Sequence, residues 1–136
     1  MPLYSGSCHC GAIRFAIDAD IRETTSCDCS LCVKKNAVMV AVPAEALTIE
    51  RGEDNLTLYQ WNTKVARHYF CKTCGIYTFH RKRSMPDHFG INIFCLDGFE
   101  RSAVPHRFAD GKDMTLAADA SNPDWPGPRT EPNPRP

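Results

Sequence analysis

The sequence predicts an all-β fold, on three observations. One segment alternates strictly between apolar and polar or small residues, and several β-branched or aromatic runs end at turn residues. No stretch of twelve residues carries a 3.6-residue apolar period. In chain order, Gly11 to Asp18 comes first: Ile13, Phe15 and Ile17 share one face, while Ala12, Arg14 and Ala16 share the other, as in a half-buried strand. Ile21 to Ser26 is a weaker strand. Ala37 to Val42, rich in valine, reads as a strand buried on both faces and stopped by Pro43. Pro43 suits the start of one helical turn over Ala44 to Leu47. Leu56 to Trp61 and Lys64 to Phe70 form a hairpin joined by Asn62-Thr63. Ile76 to His80 and Phe89 to Leu96 supply two more strands before a turn at Asp97-Gly98.

The chain has 136 residues, enough for one domain and one core. That domain is expected over residues 1–121. From Asn122 to Pro136 the composition changes, with six of the ten prolines in fifteen residues. Such a segment lacks ladder donors and is expected to be extended, polyproline-like or disordered. Sixteen basic residues balance sixteen acidic ones, which argues against a general nucleic-acid binder. The longest apolar run, Ala37 to Val42, is far too short to span a membrane. Met1 to Ser7 has neither a basic nor an apolar region of a secretory leader. A cytoplasmic, reducing location is therefore expected, where cysteines hold metal as thiolates rather than pairing as disulfides.

Seven of the eight cysteines fall into three clusters: Cys8-His9-Cys10, Cys27-Asp28-Cys29-Ser30-Leu31-Cys32 and Cys71-Lys72-Thr73-Cys74. A Cys-x-Cys pair in extended chain points both sulfurs to one side, and a Cys-x-x-Cys turn curls two sulfurs round one point. Zinc takes four such ligands in a tetrahedron. Cys27, Cys29 and Cys32 share one loop and can grip one ion alone. Cys8 and Cys10 then need Cys71 and Cys74. This partition gives a closed four-cysteine site, structural in kind, and a three-cysteine site with an open position, where chemistry takes place. Two zinc ions per chain are expected. Cys95 is left over; it lies in phase with Ile91 and Ile93, which favours a buried core thiol over a fourth ligand of the second site.

Gly6-Ser7-Cys8-His9-Cys10-Gly11-Ala12-Ile13-Arg14-Phe15, the CxCxxC loop and Phe70-Cys71-Lys72-Thr73-Cys74-Gly75 together resemble the glutathione-dependent formaldehyde-activating enzyme family, also called the GFA or centromere-protein-V domain. The resemblance runs from about Tyr4 to Gly98. It implies an Mss4-like complex of short antiparallel sheets organised around zinc–cysteine sites. It also implies a structural zinc on Cys8, Cys10, Cys71 and Cys74 and a catalytic zinc on Cys27, Cys29 and Cys32, the partition that the spacing reaches separately. Asp28 stands where the family often has histidine, and Val33 where arginine is frequent.

The activity so implied is that of a carbon–sulfur lyase or synthase joining a glutathione-like thiol to a small aldehyde such as formaldehyde. The alternative class is a non-catalytic, zinc-stabilised protein-binding module. An anionic thiol would want cations, and His80-Arg81-Lys82-Arg83 and Lys34-Lys35 are the two basic runs; the plainer reading of both is a solvated strand end and loop. His68 and His80 lie on expected strands, where an ordinary surface or core histidine competes with a proton shuttle.

Overall fold

The structure, a computed structural model, describes residues 3–27, 30–60, 64, 66–82 and 85–109. Among the described residues, ten strands make two sheets. The smaller holds β1 (Leu3–Ser7), β2 (Arg14–Asp18) and β5 (Leu47–Arg51) in the order β1-β2-β5, all antiparallel. The larger adds β3 (Thr24–Cys27), β4 (Met39–Pro43), β6 (Leu56–Tyr59), β7 (Arg67–Cys71), β8 (Tyr77–Arg81), β9 (His88–Asn92) and β10 (His106–Ala109). Its order is β10-β3-β4-β9-β8-β7-β6. Every neighbouring pair is antiparallel except β10 on β3. The one described α-helix is short, α1 (Ser30–Lys35).

The alternating segment does what its pattern dictates. Ile13, Phe15 and Ile17 are fully buried, and they meet Val40 and Val42 of β4, Phe79 of β8 and Ile91 of β9 in one apolar cluster. Phe15 and Phe79 meet edge to face at 5.4 Å, joining the two sheets through the core. Gly6 leaves space for that contact: a Cβ there would sit 2.6 Å from the Phe15 ring.

Several expected boundaries move. The strand at Gly11 begins only at Arg14, because residues 8–11 turn. Ala37 to Val42 is not buried on both faces; Ala41 is exposed, since β4 is covered on only one side there. The strand from Phe89 stops at Asn92, whose side chain accepts from the Phe94 N–H at 3.1 Å and caps a 3₁₀ turn over Ile93–Cys95. Pro43 precedes a 3₁₀ turn over Ala44–Ala46, close to expectation. The hairpin pairs as expected through β6 and β7, while its connection at Asn62-Thr63 lies outside the described residues. So does the proline-rich segment from Asn122. No described helix is long and apolar enough to cross a membrane.

Candidate metal centre and adjoining cleft

Cys8 and Cys10 sit in a turn rather than in extended chain. The Gly11 N–H donates to the Cys8 carbonyl at 3.3 Å, and Gly11 takes a left-handed φ of 78°. The two sulfurs converge all the same, 3.6 Å apart. The second pair flanks the β7–β8 turn: the Gly75 N–H donates to the Cys71 carbonyl at 2.9 Å, with Gly75 at φ 76°. The Cys10 and Cys71 sulfurs are 3.7 Å apart, and all four sulfurs lie within 4.8 Å of one another.

A zinc tetrahedron with bonds of about 2.3 Å has sulfurs about 3.8 Å apart, so the cluster fits that ion in size and in donor type. N–H groups are already aimed at the sulfurs: Ile13 N at Cys8 (3.4 Å), Cys74 N at Cys71 (3.5 Å) and Asn55 Nδ2 at Cys71 (3.4 Å). Such donors stabilise thiolates. Burial raises the Cys74 thiol, but the N–H groups of Cys10 and Ile76 and the neighbouring thiols outweigh it and bring it down to about 6. Cys71 is lowered in the same way. At Cys10 the Ala12 N–H lowers the thiol, yet burial and three adjacent sulfurs push it up to about 11. Four close sulfurs cannot all ionise without a cation among them.

Cys95 takes no part in this cluster. It is buried, its thiol donates to the Tyr77 carbonyl at 3.5 Å, and burial first, then the charges of Cys8, Cys74 and Asp97, push it up to about 12. It is the buried core thiol expected, although a 3₁₀ turn rather than strand phase turns it inward.

Cys27 ends β3 and Cys32 lies on α1. Both join a second, smaller cluster built on Cys32, Ala37, Met39 and Tyr77. Asp28 and Cys29 lie outside the described residues. Cys27 and Cys32 line a cleft of about 660 Å³ together with Val33, Arg101, His106 and Phe108. Thr24 and Ser26 hold the two ring nitrogens of His106 at 2.9 and 3.0 Å. Arg101 and His106 come from far along the chain, and no spacing signal in the sequence links either to the cysteines. The contribution of Arg101 to the cleft depends on how β10 docks beside β3.

The two basic runs divide. His80 is buried, Arg81 is half-buried and donates to the Pro86 carbonyl at 2.6 Å, and Arg83 lies outside the described residues. Lys82 is partly buried; burial first, then the Arg107 charge, lower it, while the Cys27 and Cys32 thiols pull the other way. Lys34 is exposed, and Lys35 lies half-buried against His68 and Tyr77.

The family profile described as "Glutathione-dependent formaldehyde-activating enzyme" matches residues 3–109. The chain belongs to this family. Among solved structures, a crystal structure of a Rhodobacter sphaeroides protein, a Northeast Structural Genomics target, is similar to it. The two are 40% identical with a TM-score of 0.66, over 76% of this chain and 99% of that one. Short, mostly antiparallel strands round a four-cysteine cluster agree with the Mss4-like architecture expected of a formaldehyde-activating family member.

Proposed function

We propose that the protein is a zinc-dependent carbon–sulfur lyase or synthase, forming or cleaving the adduct of a glutathione-like thiol with a small aldehyde such as formaldehyde. Besides family membership, one observation supports this most: four cysteines close on one another, while Cys27 and Cys32 line an open cleft. In this reading Cys8, Cys10, Cys71 and Cys74 hold a structural zinc, and Cys27, Cys29 and Cys32 hold a second. Zinc at the second position supplies a Lewis-acid site that favours the thiolate form of an incoming thiol. A cytoplasmic setting, where reducing conditions keep cysteines available as thiolate ligands, completes this reading.

The residues of the cleft bind and orient. Arg101 offers a guanidinium to a substrate carboxylate, and Val33 and Phe108 offer apolar wall. The thiolate sulfur donates its pair to the aldehyde carbon, forming the carbon–sulfur bond. The carbonyl π pair moves to oxygen, which takes a proton from water; cleavage runs the same steps backwards. Because this addition also occurs in water, the protein contributes position and thiolate fraction.

Exchange NMR between formaldehyde and its glutathione adduct, with and without protein, tests the reading after the spontaneous rate is subtracted. Acceleration is expected from the wild type and lost in Cys29→Ser, which should stay folded. No acceleration across several thiols and aldehydes by protein with both zincs bound would leave the zinc-stabilised binding module in its place.

A further inference from the structure

A third loop reaches both halves of the four-cysteine cluster. β5 ends at Arg51, and the chain then runs through Gly52 and a 3₁₀ turn over Glu53–Asn55 into β6. On one side this loop holds the turn that carries Cys8 and Cys10. Arg51 Nη2 donates to the Gly11 carbonyl at 2.6 Å. Gly52, at φ 85°, lies so close to the same turn that a Cβ there would run into the Ala12 carbonyl oxygen. On the other side the loop holds the turn that carries Cys71 and Cys74. The Lys72 N–H donates to the Asn55 carbonyl at 2.9 Å, and Lys72 Nζ to the Asp54 carbonyl at 3.2 Å.

Asn55 is the residue of this loop that reaches a sulfur. Its Nδ2 lies 3.4 Å from Cys71 Sγ and 3.1 Å from Thr73 Oγ1, so each amide hydrogen has an acceptor. A thiolate accepts and cannot donate, which sets the carboxamide with its nitrogen toward Cys71. The backbone of Asn55 is fixed as well: its N–H donates to the Gly52 carbonyl at 2.8 Å while its own carbonyl accepts from Lys72. The Ile13 and Cys74 N–H groups that face these sulfurs belong to the main chain and come with any sequence that makes the two turns. The Asn55 donor is a choice of side chain. A zinc with four thiolates carries net charge −2, from +2 and four times −1. Cys8 and Cys71 are buried, and there N–H donors offset that charge in place of water.

We propose that Asn55 is a positioning residue of the four-cysteine metal centre. It donates to the Cys71 sulfur and, with Arg51 and Gly52, holds the two cysteine turns together round the ion. The inference rests on the metal reading of Cys8, Cys10, Cys71 and Cys74 and not on the thiol–aldehyde reaction. Without Asn55 the buried negative charge of the loaded site loses a stabilising donor, so the ion is held less tightly. The Cys71 sulfur, no longer sharing its lone pair with a proton, then gives charge to the metal more readily.

The test uses the full chain carrying Cys29→Ser and Cys32→Ser, so that the four-cysteine site alone takes metal. Zinc affinity is read by competition with a chromophoric chelator, and the sulfur–metal bond by the charge-transfer band of the cobalt-loaded protein. Asn55→Leu, which keeps the size and removes the donor, is expected to raise the zinc Kd about tenfold and to move the band to lower energy. Asn55→Asp, which turns a carboxylate on the sulfur, should lose more affinity. Asn55→Gln, which keeps an N–H at longer reach, should recover part of both effects. Thr73→Val removes the other partner of the carboxamide and should leave the band in place. An unmoved band in Asn55→Leu would overturn the proposal even if Kd rises, because a residue that only shapes the turn alters stability and not the sulfur–metal bond. A band shift as large in Thr73→Val would overturn it too. If Asn55→Leu melts too early to titrate, Asn55→Asp carries the same expectation. A background chain that takes up no metal overturns this proposal and the metal reading of the four cysteines together. The expected shifts, in a protein whose wild type shows no aldehyde chemistry, uphold Asn55 and remove only the reaction.

Discussion

The sulfurs of Cys10 and Cys71 lie 3.7 Å apart across 61 positions of chain. Closing so long a loop costs entropy that one sulfur contact cannot return, so an ion that joins the two turns contributes its binding energy to folding. Cys71→Ser should therefore lose one zinc per chain and about 3 kcal/mol or more, on the order of 10 °C in Tm for a chain of this size. Elemental analysis beside thermal melting checks both. Unchanged metal content and Tm would falsify the assignment.

Removing Phe15 tests the join between the sheets. The side chain is fully buried and meets Phe79 edge to face at 5.4 Å. Phe15→Ala should cost about 3–5 kcal/mol by urea unfolding, because the strands around it relax only partly into the space. A cost below 1 kcal/mol would mean that the two sheets do not share this core.

Gly90→Ala reads out the space reserved for His80. The new Cβ would come within 2.9 Å of His80 Nδ1, and the imidazole is held in place by its stack on His68 and its hydrogen bond with Tyr77. The substitution should destabilise by about 1–3 kcal/mol as an overpacked core does. Pairing it with His80→Ala should remove most of that penalty in a double-mutant cycle; full additivity would place the clash elsewhere.

The pH dependence of stability should carry the signature of His80. Burial first, then the charges of Lys35, His68 and Lys82, hold it well below its ordinary value of 6.5. Below that value the unfolded chain binds a proton that the folded chain refuses, so the contribution of His80 is whole above pH 6.5 and is lost as pH falls. The difference in stability between wild type and His80→Gln should therefore shrink from pH 7.5 to pH 5.5. Melts of both proteins over that range measure it, and a difference that stays flat or grows on acidification would contradict it.

Two kinds of information in the chain were legible without a structure. The alternation Ile13, Phe15, Ile17 names the face that joins the main apolar cluster, because side chains in a strand repeat every two residues; Ala16 on the other face is buried as well, which the pattern does not announce. The cysteine spacings name pairs of sulfurs, because a gap of one or two residues lets both sulfurs reach one point. Cys8 with Cys10, and Cys71 with Cys74, could be matched by elimination, and the structure brings these four together.

Other elements left no such mark. β1, β5 and β10 were missed because Leu3–Ser7 contains glycine and two serines, Leu47–Arg51 is largely exposed, and His106–Arg107-Phe108 faces solvent. A strand at an edge is defined by the neighbour whose hydrogen bonds it takes, and that neighbour is set by the sheet. The same reason hid the cleft. Arg101 and His106 reach it because β10 pairs with β3, and Lys35 meets His68 only through the packing of α1 over β7 and β8. Local pattern in the sequence determined which residues could bind metal and which face of β2 joins the main apolar cluster. Tertiary structure alone decided which charges stand beside the Cys27–Cys32 loop, because those contacts join segments that chain spacing does not relate.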